Sequence, residues 1–103
     1  MDLKAKFQEM LQLLVGYIAG RVSCAELQSF AWEVIDYFTD TARGELPAEE
    51  EFERAFWYAI WQTQHLCDDE HEDEGVTRRE LENALAYMKG EAEMPEECVG
   101  RRP

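Results

Sequence analysis

His65, Cys67 and His71, with Asp68 and Asp69 between them, bring imidazole, thiolate and carboxylate groups into one short stretch. All three group types bind zinc, so metal chemistry is the first possibility to weigh. The spacing matches no zinc module, and residues of this kind in a polar stretch read as solvated loop positions, so no metal site is expected. Calcium fares no better. Glu70, Glu72 and Glu74 alternate ahead of Gly75 as in the first half of an EF-hand loop. With Gly75 in the sixth place, the twelfth falls on Leu81, where a bidentate glutamate is required. Covalent catalysis needs a nucleophile supported by a histidine and an orienting carboxylate. The two histidines both flank the acidic stretch, and the chain has neither a nucleophile elbow nor a phosphate-cradling glycine pattern. Carboxylate pairs are too abundant to be diagnostic, and general-acid work requires burial that a solvated loop does not provide. No enzyme and no cofactor are expected.

Recognition remains, and charge is its main signal. The 103 residues include 23 acidic and 10 basic side chains, a formal net charge of -13. Such an excess disfavours direct binding to nucleic acid or to an anionic membrane and favours a basic protein partner, which it steers electrostatically. The densest concentration is Asp68, Asp69, Glu70, Glu72, Asp73 and Glu74, six carboxylates within seven residues. A cluster of this kind can imitate nucleic-acid phosphates and occupy the basic groove of a nuclease. Charge alone is a weak anchor. Trp57 and Trp61, one helical turn apart and off the main apolar stripe of their segment, are the residue type enriched at binding hot spots. The alternative is that both lie in the core of a helix sandwiched between neighbours, and Trp32 shares that ambiguity.

The elements that must position these residues are helical. Leu3, Phe7, Met10, Leu11, Leu14 and Ile18 recur at spacings of three and four, forming one apolar face that ends at Gly20. Ser23 to Glu26 forms a capping box, which starts a second helix with the face Leu27, Phe30, Ala31, Val34, Ile35 and Phe38. Pro47 followed by Glu49, Glu50 and Glu51 suits the first turn of a third helix, whose inner stripe is Phe52, Phe56, Ala59, Ile60, Thr63 and Leu66. A second capping-box pattern, Thr77 to Glu80, predicts a fourth helix carrying Leu81, Ala84, Leu85 and Met88 and closed by Gly90. No strand alternation competes. The expected fold is all-α, a small three- or four-helix bundle, with residues 1–90 as one domain and 91–103 as a loosely ordered tail.

Residues Met1 to Lys6 lead directly into the amphipathic pattern, so no export signal is expected, and the apolar run Leu13 to Ala19 falls far short of the roughly 20 residues a membrane span requires. Cys24, Cys67 and Cys98 are odd in number and widely spaced. They predict a reducing compartment, with Cys24 a small apolar residue beside a helix start and Cys67 and Cys98 free thiols.

The run LLVGYIAGRVSCAELQSFAWEVI, Leu13 to Ile35, resembles the amino-terminal helical hairpin of colicin-like and contact-dependent growth-inhibition immunity proteins. In both, an amphipathic helix ends near a glycine, a short basic and apolar step follows (here Gly20, Arg21 and Val22), and a Ser/Thr-started helix carries an acidic residue, here Ser23 with Glu26. The resemblance covers about a quarter of the chain. It implies a cytoplasmic bacterial antidote that binds a cognate toxin domain, often a nuclease, and it carries over no catalytic residue. The expected function is therefore an immunity protein that neutralises a basic toxin domain through its acidic surface. The alternative is a phage-type nucleic-acid mimic that blocks a host defence or DNA-binding protein.

Overall fold

The computed structural model describes residues 2–41, 50–67, 74–95 and 100–101, with the backbone alone described for 74–76. Among these residues there are four helices and no strand: α1 (Leu3–Ile18), α2 (Cys24–Asp40), α3 (Glu53–Leu66) and α4 (Glu74–Lys89). Each helix packs on its neighbours in sequence, and α4 closes the ring against α1. The chain is an all-α helical bundle.

Local chemistry sets the ends of the first two helices. The Asp2 carboxylate accepts from the Lys4 N–H at 3.0 Å and caps α1. At the start of α2 the capping box is complete: the Glu26 N–H donates to Ser23 Oγ at 3.2 Å and the Ser23 N–H donates to Glu26 Oε2 at 2.7 Å. Gly20 and Gly90, just past α1 and α4, have φ of 81° and 75°. A side chain would strain that left-handed backbone. The reversal lets the Arg21 N–H reach the Gly16 carbonyl at 2.8 Å and the Glu91 N–H reach the Ala86 carbonyl at 2.9 Å, satisfying groups that a helix end otherwise leaves unpaired.

Two starts differ from expectation. Pro47 lies outside the described residues, and α3 begins at Glu53 after a turn in which the Glu53 N–H donates to the Glu50 carbonyl at 3.0 Å. Helix α4 begins at Glu74, three residues before the Thr77–Glu80 pattern. Thr77 is buried inside the helix, where its hydroxyl donates to the Leu66 carbonyl at 3.3 Å. The side chain expected to cap its own helix joins α4 to the last turn of α3.

The core is centred on α3. Phe56, Trp57, Tyr58, Ala59 and Ile60 are all buried in succession, which a helix achieves only when neighbours cover most of its circumference. Phe38 of α2 meets the Trp57 ring edge-on at 4.8 Å, and Phe56 meets it at 4.9 Å. Glu53, 1% exposed, is tolerated because both carboxylate oxygens are satisfied. Oε1 accepts from Trp57 Nε1–H at 3.2 Å and Oε2 from the Glu50 N–H at 2.7 Å. Thr63 is the opposite case: it is fully buried, and its hydroxyl has no hydrogen-bond partner among the described residues. Thr63→Val keeps the shape and removes the unpaired polar group, so it is expected to raise stability by about 1 kcal/mol. Thermal denaturation reads this as a higher midpoint, and a lower one would show that the hydroxyl is satisfied.

The cysteines correct the expectation. Cys24 and Cys67 are joined as a disulfide, with Cα atoms 5.2 Å apart across a sequence separation of 43. The bond ties the first residue of α2 to the C-cap of α3, so Cys67 is not a free thiol. Cys98 lies outside the described residues.

Candidate protein-binding surface

Of the expected acidic stretch, Asp68, Asp69, Glu70, Glu72 and Asp73 lie outside the described residues, and Glu74 is placed as the first residue of α4. The stretch follows directly on Cys67, the disulfide-tied C-cap of α3.

The two expected aromatic anchors separate. Trp57 is fully enclosed, held between Phe38 and Phe56 with its indole N–H on Glu53, so it presents nothing to a partner. This corrects its assignment as an anchor: the neighbouring α2 covers the side of α3 from which Trp57 projects. Trp61 is half-buried, and its indole N–H donates to the Arg101 carbonyl at 2.7 Å. Two turns earlier on the same helix, the Arg54 guanidinium donates to the Pro95 carbonyl at 2.9 Å. Met94 packs against the core, and Gly100 approaches the Arg54 carbonyl so closely that a Cβ there would collide with it. Within the tail expected from residue 91, the described Pro95, Gly100 and Arg101 meet α3. Trp61 is thus engaged within the chain.

Helix α2 presents the clearest aromatic and acidic surface among the described residues. Its six buried positions, Leu27, Phe30, Ala31, Val34, Ile35 and Phe38, are those the sequence pattern selects; Cys24 and Gln28 are half-buried, and the remaining positions face solvent. Trp32 is 46% exposed there, with Glu33, Asp36, Tyr37 and Asp40 also on the solvent side. Tyr37 leans edge-on against Phe38 at 5.5 Å. Glu33 pairs with Lys6 of α1 at 3.3 Å, and Lys6 also reaches Glu9 at 3.3 Å and lies over the Phe30 ring. Burial lowers the Lys6 pKa, but hydrogen bonds and charge from Glu33 and Glu9 outweigh it and hold the ammonium above its ordinary value. Any contribution to stability is therefore complete below pH 10.5 and lost as the pH rises further; the carboxylate partners are solvent-exposed, which keeps it small. The Asp36 and Asp40 carboxylates have no ion pair or hydrogen bond among the described residues. The sequence pattern assigns Asp40 to the connection after the second helix, whereas α2 runs through it, and among 23 acidic residues nothing singles out Asp36 or Asp40.

Arg78 and Lys89 are engaged within the chain. Arg78 donates to the Ile18 carbonyl at 2.8 Å, where it meets the negative end of α1, and pairs with Glu82 at 3.2 Å. Arg21 and Lys89 border a groove over Leu11 and Val15, and Lys89 already holds Glu91 at 2.9 Å. Among the described residues no group of three or more His, Cys, Asp or Glu side chains could hold a metal ion. The thiol of the sequence cluster is tied up with Cys24, and His71 lies outside the described residues. None of the described helices is long and apolar enough to cross a membrane.

The fold and surface define a helical bundle with an acidic, partly aromatic exterior. No protein-family model matches the chain, no curated protein sequence matches it, and no solved structure matches it.

Proposed function

We propose that the protein is a cytoplasmic immunity protein that binds and neutralises a cognate basic toxin domain, a nuclease, and that it acts by binding without catalysing a reaction. The observation that carries this reading is the excess of 23 acidic over 10 basic residues in so short a chain. Among the described cations, Lys6, Arg78 and Lys89 pair with carboxylates and Arg54 is held on a backbone carbonyl; such pairing leaves the acidic excess itself unchanged. An exterior of this sign attracts a basic groove from a distance and competes with the phosphates that such a groove binds. The amino-terminal hairpin supports the same reading through its resemblance to immunity proteins. In a reducing cytoplasm the Cys24–Cys67 pair is expected as two thiols held adjacent by packing, and in an oxidising compartment as the covalent tie.

The acidic stretch is the proposed contact. Converting Asp68, Asp69, Glu70, Glu72, Asp73 and Glu74 together to their amides is expected to slow association with the toxin encoded beside the gene by roughly 10- to 1,000-fold at low salt. Protection of cells expressing that toxin should fall with it. Undiminished protection by the amide variant would overturn the assignment of this stretch.

A further inference from the structure

We infer that the outward face of α2, along the line Trp32, Asp36 and Asp40, is a docking surface for an arginine-presenting face of the basic partner. This rests on the reading that the partner is a basic protein, and goes beyond it in naming a second surface and the side chain it captures.

The three residues stand at i, i+4 and i+8 of one helix, which places them in a row about 12 Å long at 1.5 Å per residue. Each is locally unfavourable where it stands. Trp32 leaves 46% of its surface in water at mid-helix, although neighbouring positions of α2 bury smaller residues completely. Asp36 and Asp40 are like charges one turn apart, a spacing that destabilises a helix. Asp40 also lies in the last turn, at the negative end of the helix dipole, and α2 has no basic residue there to offset it. Glu33 adds a further carboxylate on the same side, and Lys6 is the cation that reaches it. Local costs of this kind on one face mark a surface shaped for something outside the fold.

An arginine-bearing partner reverses all three costs. Its planar guanidinium stacks on the exposed indole, a second reaches Asp36 or Asp40 with paired N–H donors, and added positive charge relieves both the Asp36–Asp40 repulsion and the helix end. Lysine supplies the charge without the flat stacking surface or the fork, so arginine is preferred.

The probe is nona-arginine, titrated at low salt into 15N-labelled full-length protein. The three indole N–H signals distinguish the surfaces, because Trp57 donates to Glu53 and Trp61 to Arg101, whereas Trp32 faces solvent. Expected results are movement of the Trp32 indole signal together with backbone amides of residues 32–40, and weaker binding of nona-lysine. The exposed triple variant Trp32→Ala, Asp36→Asn, Asp40→Asn should melt at or above the wild-type midpoint, because the like charges are gone, and bind nona-arginine at least about tenfold more weakly. An unmoved Trp32 signal, a triple variant that binds equally well, or no binding at all would overturn this inference. Shifts confined to residues 68–74 would do the same while leaving the immunity reading intact, since that reading fails only on the cognate toxin itself.

Discussion

Trp57→Ala is expected to remove about 3–5 kcal/mol of stability, a large share of the roughly 5–15 kcal/mol that holds a small domain folded. The size follows from three losses at one position. The indole is fully buried, so truncation leaves a cavity that the surrounding helices fill only in part. The ring also joins α2 to α3 through Phe38 and packs on Phe56. Finally, its N–H is a donor to the Glu53 carboxyl group, which is 1% exposed and would lose that bond. Depriving a buried acceptor of a donor adds to the cavity cost. Chemical denaturation measures the sum: the variant's midpoint should collapse toward zero denaturant. A loss under about 1 kcal/mol would place Trp57 outside the core.

Breaking the Cys24–Cys67 bond is the second large effect. A crosslink across 43 residues removes much of the freedom of the unfolded chain, and its loss is expected to cost about 2–4 kcal/mol. For a domain of this size that corresponds to a fall in melting temperature of about 10–30 °C. Melting with and without reductant measures it directly. Cys24→Ser and Cys67→Ser should each melt like the reduced protein and respond no further to reductant, whereas Cys98→Ser should keep the wild-type response. Coincident melts of oxidised and reduced protein would show that the bond does not form or does not constrain the unfolded chain.

What the sequence reveals of the fold is what short-range chemistry decides. The inner face of α2, the Ser23–Glu26 capping box and the glycine stops at Gly20 and Gly90 depend on residues within a turn or two of one another and appear as the pattern predicts; of the α1 face, Leu3, Met10 and Leu14 are buried, and Phe7, Leu11 and Ile18 are half-buried. Ser23 and Thr77 show where that logic ends. Both begin a Ser/Thr-x-x-Glu pattern, yet Ser23 caps its helix while Thr77 lies inside one and bonds to Leu66 of α3, because a tertiary acceptor lies within its reach. The disulfide was equally hidden, since the 43-residue spacing says nothing of the 5.2 Å between the two Cα atoms.

The candidate surface divides along the same line. Trp57 and Trp61 are indistinguishable by spacing. What separates them is the cover each receives, from α2 over Trp57 and from the tail at Arg101 over Trp61, and neither cover is encoded nearby in the chain. The row Trp32, Asp36 and Asp40 takes shape only once α2 is seen to extend to Asp40, and its meaning depends on Trp32 being 46% exposed among the described residues. The carboxylates of residues 68–73 lie outside the described residues, and their role rests on charge density.

The central claim is that negative potential on this bundle meets a positive protein surface, and association kinetics with the toxin encoded beside the gene test it most directly. Measured across a range of ionic strength, the association rate should be fast at low salt and fall steeply as salt screens the two surfaces, by roughly 10- to 1,000-fold. A complex whose rate ignores salt, or the absence of any complex at low salt, would contradict it.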